Sequence, residues 1–262
     1  MSVFIDKLSR LSRGESQPIG FRAKQAASAK PKIQMVASLA QESAGDLTGH
    51  IAGADAVIVR ISKPGMDAES LQSLSKALPD IPWGAHLQGS SQASIKQITR
   101  AGCDFIVFPT TDTPLTAIDN DEMGKILEVE ASLNEGLLRA VNELPIDAVL
   151  ITIDQNETPS LTWHNLMLFQ RFADLLTKPL LVSVTVKVTA KELQSLWGAG
   201  VTGVVIALDA KQPEGRLEKL RAETEKLDFS PPQRREKPEA VLPRPGGEPR
   251  RARTEEEEEE EE

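Results

Sequence analysis

The sequence predicts an α/β fold: a single (β/α)8 barrel with an N-terminal helix and a disordered, charged C-terminal tail. Three observations predict it. Eight short apolar runs rich in β-branched residues recur between residues 33 and 227, helical patterns separate most of them, and glycine ends several of those helices directly before the next run. Strands that alternate with helices form parallel sheets, and eight such units close into a barrel.

The predicted strands are recognised by their Val, Ile and Leu content and by their length. They cover residues 33–39, 56–61, 83–88, 104–108, 125–131, 147–153, 180–186 and 202–208. Helices are predicted at 66–78, 91–101, 133–144, 160–177, 189–199 and 213–227, with weaker helical patterns at 42–53 and 112–120. Gly53, Gly102 and Gly200 follow predicted helices, where glycine adopts the left-handed conformation that turns the chain into the next strand.

The alternative fold is an open, doubly wound sheet. That fold binds dinucleotides through a Gly-x-Gly-x-x-Gly turn after its first strand, and residues 39–45 (Leu-Ala-Gln-Glu-Ser-Ala-Gly) lack the early glycines. We therefore see no nucleotide or flavin motif. Over residues 33–227 the pattern resembles the aldolase-type TIM-barrel superfamily. The resemblance implies the architecture and no single chemistry, because this fold hosts many reactions.

Composition divides the chain into three segments. Residues 1–31 are predicted to form an N-terminal helix and connector, residues 32–227 the barrel, and residues 228–262 a tail rich in Pro, Arg and Glu. The tail ends in eight consecutive glutamates and cannot bury enough apolar surface to fold, which predicts disorder. It acts either as a solubilising segment or as a docking element for a protein partner.

The N-terminal segment has an amphipathic pattern. Val3, Phe4, Leu8 and Leu11 lie on one helical stripe, which predicts a helix that covers one end of the barrel core. A transit peptide and a membrane-surface helix are the alternatives, because the segment is also basic.

Charge and cysteine content restrict the classes of partner. The formal net charge of −9 argues against a nucleic-acid-binding protein, which would present a basic face. A single cysteine, Cys103, excludes an internal disulfide and is typical of a reducing compartment. No apolar run approaches the roughly 20 residues that span a bilayer. We predict a cytoplasmic protein with neither nucleic acid nor membrane as partner, and the sequence leaves a homo-oligomer open.

Polar side chains interrupt the predicted strands near their carboxyl ends. If Val57, Val59 and Ile61 pack outward against helices, Arg60 faces the barrel axis. The same alternation directs a further set inward: Ser38, Ser62, His86, Gln88, Glu128, Glu130, Thr152, Asp154, Ser183, Thr185, Lys187 and Asp209. Barrels of this kind carry their sites at this end. The set predicts a site for a small polar or anionic ligand.

Three chemical schemes fit these residue types. A desolvated Lys187 would form a Schiff base with a carbonyl substrate, as in aldolase-type lyases. Glu128, Glu130 and Asp154, with His86, would hold Mg²⁺ or Mn²⁺. Two carboxylates that share a site would supply an acid and a base for proton transfer. The predicted catalytic residues are therefore Lys187, Glu130, Asp154 and His86.

Ligand-binding residues are predicted around the same axis: Arg60, Lys63, Gln88, Thr152, Thr185 and Ser38. These residues also have structural explanations. His86 also fits a core histidine whose hydrogen bonds are satisfied, and Arg60 and Glu128 also fit a structural ion pair. Lys187 also fits a side chain that extends from the barrel mouth into water.

A local pattern resembles quinolinate phosphoribosyltransferases. Glu128-Val129-Glu130, then Ile151-Thr152-Ile153-Asp154, resemble that family's Glu-Val-Glu and Leu-Asp pattern, and Gly200-Val201-Thr202-Gly203 resembles its Gly-Val-Asp strand. The resemblance implies Glu130 and Asp154 as site residues. Lys187-Val188-Thr189-Ala190 stands where the family has its Ser-Gly-Gly-Ile phosphate loop. We therefore do not transfer the activity. Two hypotheses follow: a metabolite-binding enzyme of the lyase type, and a non-catalytic scaffold barrel whose tail docks a partner.

Overall fold

The computed structural model describes residues 2–13, 33–40, 48–61, 81–87, 92–118, 123–153, 160–208 and 214–229, together with Ser75 and Leu78. Eight parallel strands form one closed barrel in chain order, which confirms the predicted fold class. The strands are β1 Gln34–Ala40, β2 Ala56–Ile61, β3 Trp83–Leu87, β4 Phe105–Pro109, β5 Gly124–Glu130, β6 Ala148–Thr152, β7 Leu180–Val184 and β8 Gly203–Leu208. These elements belong to a compact unit that spans Met1–Pro232.

Six helices are described. They are α1 Val3–Arg13, α2 Gln92–Arg100, α3 Glu135–Val141, α4 Trp163–Leu175, α5 Ala190–Gly198 and α6 Arg216–Glu225. In the two weak helical patterns the described residues form only short 3-10 helices, Thr48–His50 and Leu115–Ala117. The helix predicted at 66–78, apart from Ser75 and Leu78, and the connector at 14–32 lie outside the described residues. No described helix is long and apolar enough to span a bilayer.

Side-chain alternation along the strands builds two separate cores. Leu127 and Val129 of β5 point outward, into the core between sheet and helices. Ile126 of the same strand points inward, into a second core that fills the lumen. The lumen core is built from residues of seven strands and α1: Phe4, Ile5, Leu8, Val36, Ala56, Ile58, Phe105, Val107, Ile126, Ala148, Leu150, Leu181 and Val205.

Helix α1 closes the amino end of the barrel. Phe4 and Leu8 are fully buried, and the Phe4 and Phe105 rings lie 4.9 Å apart between centroids. The predicted stripe was wrong at Val3, which is 56% exposed, while Ile5 is buried. The reason is that Asp104 fixes the first turn, and in that orientation Ile5 completes the buried stripe.

Two glycines make room for this packing. A Cβ atom on Gly124 would lie 2.4 Å from Cγ1 of Ile5, and one on Gly84 would lie 2.3 Å from Cε2 of Phe105. Because real Cβ atoms do not approach so closely, a side chain at either position would displace α1 or the Phe105 ring.

A recurrent hydrogen-bond pair joins the strands at the amino end. The amide of Asp55, directly before β2, donates to the Met35 carbonyl at 2.7 Å, and the Met35 amide donates back to the Asp55 carboxylate at 2.8 Å. Asp147, directly before β6, forms the same reciprocal pair with Lys125, with both bonds at 2.8 Å. These aspartates fix the start of one strand against its neighbour.

Asp104 holds the corresponding position before β4 but binds a different group. Its amide donates to the Trp83 carbonyl at 2.9 Å, as the pattern requires. Its carboxylate instead accepts from the Ser2 hydroxyl at 2.7 Å and from the amides of Val3 and Phe4 at 2.7 and 2.9 Å. A residue of the barrel therefore caps the N-terminus of α1, where the helix dipole favours a negative charge.

The described chain ends against α5. Phe229 is 3% exposed, and its ring lies edge-on to Trp197 at 6.2 Å between centroids. The Gln194 side chain donates to the Asp228 carbonyl at 2.7 Å. Two residues that the sequence assigns to the tail thus pack on the barrel, and residues 230–262 lie outside the described residues.

Candidate functional site

The lumen becomes polar above its apolar core. Arg60, Glu128 and Thr152 each follow a lumen-core residue of their own strand by two positions and so share its face. They lie at the carboxyl ends of β2, β5 and β6, the end at which TIM barrels build their sites. Residues of α1 close the opposite, amino end of the lumen.

One direct contact dominates this polar region. Nε2 of His86 lies 2.7 Å from Oε2 of Glu128, and the two side chains are 13% and 16% exposed. His86 is the register partner of Val107 on β4, and Glu128 is the partner of Pro109 on the same strand, so the contact spans β4. Side chains of alternate strands meet in this way within one layer of a (β/α)8 barrel.

Arg60 lies beside this pair. It is the register partner of His86 on the neighbouring strand β2, and its side chain is half-buried. Within the described part of the chain, no residue forms a hydrogen bond or an ion pair with its guanidinium. Its guanidinium offers five donors in a planar arrangement that matches carboxylate and phosphate oxygens.

The remaining described site residues surround the axis at different heights. Ser38 is 6% exposed, and Thr152 and Thr185 are half-buried. Glu130 is exposed at the rim, where its carboxylate accepts a hydrogen bond from the Ser132 hydroxyl at 3.1 Å. The structure therefore separates Glu128, in the lumen, from Glu130, at the rim.

Lys187 lies beyond the end of β7, in a turn, with an exposed side chain. A Schiff-base lysine needs desolvation or a neighbouring cation to lower its pKa. The described residues around Lys187 leave its side chain exposed to water. Lys63, Gln88 and Asp154, and also Ser62 and Asp209, lie outside the described residues.

The donor set for a metal ion is incomplete among the described residues. They contain no group of three or more His, Cys, Asp or Glu side chains arranged to hold a metal ion. Glu128 already binds His86 through Oε2, and Glu130 bonds Ser132. The predicted Mg²⁺ or Mn²⁺ site would need Asp154 and a rearrangement of Glu128.

Cys103 takes no part in the site. Its side chain is buried, and its thiol donates to the Phe105 carbonyl at 3.0 Å. Burial raises the pKa of the Cys103 thiol to about 12. Since the thiolate is the nucleophilic form, Cys103 is not a nucleophile at neutral pH.

Sequence reasoning placed Glu128 on the lumen face but did not predict its contact with His86. An ion pair between Arg60 and Glu128 was one explanation that the sequence offered, whereas the structure gives His86 as the partner of Glu128. The layered packing of (β/α)8 barrels could have predicted this contact. Side chains of alternate strands, here β3 and β5, share a layer of the lumen, whereas side chains of adjacent strands do not.

Comparisons with known proteins support the fold alone. No family model matches the chain, and no curated protein matches it. Among solved structures, the chain is similar to mutant forms of the tryptophan synthase α-subunit from the hyperthermophile Pyrococcus furiosus. One has a TM-score of 0.58 at 13% identity and covers 74% of this chain and 97% of that chain. Another has a TM-score of 0.57 at 12% identity and covers 76% and 98%.

Proposed function

We propose that the barrel binds a small anionic or polar metabolite at its carboxyl end and transfers a proton with His86 and Glu128. The observation that carries this proposal is the 2.7 Å contact between the two side chains inside the lumen. Charged groups at such depth are costly unless they are paired or used. The two side chains keep an exposed fraction of 13% and 16% at the carboxyl end of the lumen, opposite the end that α1 closes.

The geometry suits acid–base chemistry. Glu128 binds one imidazole nitrogen, which orients the ring, fixes its tautomer and stabilises the imidazolium that forms when the ring takes up a proton. The other nitrogen, Nδ1, is then the atom that exchanges a proton with the ligand. Histidine is the side chain that most often does this near neutral pH.

Arg60 supplies the attraction for an anionic group. It is the strand neighbour of His86, so an anion at its guanidinium lies close to the imidazole. A carboxylate or phosphate bound there would hold the rest of a small molecule over His86. Lys63, Gln88, Thr152, Thr185 and Ser38 are proposed to complete the binding surface. Glu130 and Lys187 are proposed to act at its rim, and Asp154 as a further catalytic residue.

This arrangement is the proton-transfer part of lyase or isomerase chemistry. Removal of a hydrogen next to a carbonyl group needs a base at that carbon and a cation that binds the anionic end of the substrate. His86 with Glu128 would be the base, and Arg60 the cation. The fold likeness to a tryptophan synthase α-subunit is compatible with small-metabolite chemistry in this barrel.

Substitution of Arg60 is expected to abolish anion binding. In a panel of small carboxylates, phosphate esters, Mg²⁺ and Mn²⁺, a ligand at 100 times its Kd should stabilise the wild-type protein by about 2.7 kcal/mol. Arg60→Gln should lose most of the stabilisation that an anionic ligand gives, because the charge-assisted hydrogen bonds between the guanidinium and the anion are gone. Thermal unfolding with and without each ligand measures the stabilisation of both proteins.

Arg139→Gln is the matched control, since Arg139 is an exposed arginine on α3. It should keep the full ligand-induced shift in melting temperature. If no anion raises the melting temperature of the wild-type protein, or if both variants lose the shift equally, Arg60 is not the anion-binding residue.

A second candidate function is a binding or scaffold protein without chemistry. The observation in its favour is a groove of about 410 Å³ between α4 and α5, lined by Leu161, Thr162, Trp163, Leu166, Glu192, Ser195 and Leu196. Trp163 in this groove is 82% exposed, and Met167 on α4 is 69% exposed. Exposed apolar clusters of this kind mark interaction surfaces.

This second function predicts self-association through the groove, which a charge at its edge would prevent. Sedimentation velocity should then show a concentration-dependent dimer for the wild-type protein and a monomer for Trp163→Glu. A monomer at all concentrations for the wild-type protein would remove self-association as the role of this surface.

A further inference from the structure

Two rim loops of the barrel have the same construction. The segments Glu130–Asn134, after β5, and Thr185–Thr189, after β7, each contain a turn in which the amide of the fourth residue donates to the carbonyl of the first. The bonds are Leu133 to Glu130 at 3.2 Å and Val188 to Thr185 at 3.1 Å. The fifth residue of each segment, Asn134 or Thr189, is the N-cap of the following helix.

An arginine binds each of these turns from outside. Nη2 of Arg171, on α4, donates to the Leu133 carbonyl at 3.2 Å and more weakly to the Ala131 carbonyl at 3.5 Å. Arg216, at the start of α6, donates from Nε to the Val186 carbonyl at 3.3 Å and from Nη2 to the Val188 carbonyl at 3.2 Å. In both turns the acceptors are the second and fourth residues.

The position of these carbonyls explains why they need a donor. The ladder between β5 and β6 ends at Glu130, and the ladder between β7 and β8 ends at Val184. Beyond those points the backbone has no strand partner, and carbonyls at the half-buried edge require another donor. In both cases that donor comes from the helix that follows the next strand.

We infer that Arg171 and Arg216 are positioning residues that hold the two rim loops of the lumen site in one conformation. Each arginine forms a carbonyl clamp, meaning a side-chain cation bound to two backbone carbonyls two residues apart. The clamps fix equivalent pairs of residues at the mouth: Glu130 with Ser132 on one loop, and Thr185 with Lys187 on the other. The functional part of this inference rests on the proposed function.

Lys178 forms a third carbonyl clamp, in which a lysine binds two backbone carbonyls. Nζ of Lys178 donates to the carbonyls of Leu144 at 2.9 Å and Ile146 at 2.6 Å, in the connection between α3 and β6. An ammonium can therefore bridge the same spacing. This makes Arg→Lys a conservative replacement at the rim and Arg→Met a disruptive one of similar length.

Amide hydrogen exchange of the full-length protein tests the clamps directly. Arg171→Met should speed exchange of the Leu133 amide by about tenfold, because its turn loses the charge-assisted bonds, and should leave Val188 unchanged. Arg216→Met should do the reverse, so each variant is the control for the other. Arg216→Lys should restore most of the protection of Val188.

A purely structural role would give a different result. If either Met variant speeds exchange at both turns and in the helices to the same extent, the arginines contribute only general stability, and the inference is overturned. Unchanged exchange at Leu133 and Val188 in both variants would overturn it as well.

Kinetics test the consequence for the site. With pyruvate in D₂O as the probe, Arg216→Met should raise KM for exchange of the methyl hydrogens about tenfold and change kcat less, and Arg216→Lys should recover it. An unchanged KM would overturn the positioning role. If the wild-type protein exchanges no pyruvate hydrogen, the proposed function loses this support, and the amide-exchange result still confirms or overturns the clamps.

Discussion

Replacement of Asp104 by alanine is expected to lower the free energy of unfolding by about 3 kcal/mol, a large fraction of the 5–15 kcal/mol of a typical domain. Its carboxylate accepts hydrogen bonds from Ser2, Val3 and Phe4. The variant removes the acceptor of three hydrogen bonds at the start of α1 and a negative charge that the helix dipole favours. Urea-induced unfolding measures the loss as a lower midpoint.

Asp147→Ala is the matched control for this prediction. Asp147 occupies the same position before β6, but within the described part of the chain its carboxylate accepts one hydrogen bond, from the Lys125 amide. We expect a loss of about 1 kcal/mol there, the usual value for one hydrogen bond. Equal losses for the two variants would show that Asp104 does no more than its counterpart and that α1 is held by its apolar contacts alone.

Replacement of His86 by asparagine is expected to lower the rate of ligand proton transfer by about 10²–10⁴-fold. Asparagine cannot take up a proton, and it is too short to place its amide where Nε2 of His86 lies, so Glu128 loses this partner. Glu128→Gln should have a smaller effect, because glutamine orients the ring and lacks only the charge that stabilises the imidazolium. Rates of carbon-bound hydrogen exchange in D₂O measure both losses.

His164→Asn controls for a general effect of removing a histidine, since His164 is exposed on α4. The rate of ligand proton transfer by the His164→Asn protein should equal that of the wild-type protein. Because Glu128 is partly exposed and can bind water instead, the free energy of unfolding of His86→Asn should stay within about 3 kcal/mol of the wild-type value. A folded His86→Asn protein that keeps the wild-type rate would exclude His86 as the base.

The barrel itself could be predicted because its signals are local. Each strand carries its own apolar run, and the alternation within β2 or β5 decides which residues face the lumen. Ile126 and Glu128 were placed on the inner face by counting alone, and the structure places Ile126 in the lumen core and Glu128 above it. The orientation of α1 was less predictable, since it depends on Asp104, about 100 residues away.

The candidate site was less predictable because its contacts join distant parts of the chain. Which side chain reaches Glu128 depends on the stagger of neighbouring strands, a property of the closed barrel that no single strand reveals. The depth of Glu130 and Lys187 depends on where β5 and β7 end. The arginines at the rim had no sequence signal, because they bind backbone carbonyls, which any residue type supplies.

The most direct test of the acid–base account is hydrogen exchange into small carboxylates and phosphate esters that carry a C–H bond next to a carbonyl group, followed by ¹H NMR in D₂O. The account predicts that the wild-type protein accelerates loss of that C–H signal for at least one anionic compound, and that Arg60→Gln and His86→Asn each abolish the acceleration. Binding of such a compound, seen as a raised melting temperature, without any acceleration of exchange would contradict it.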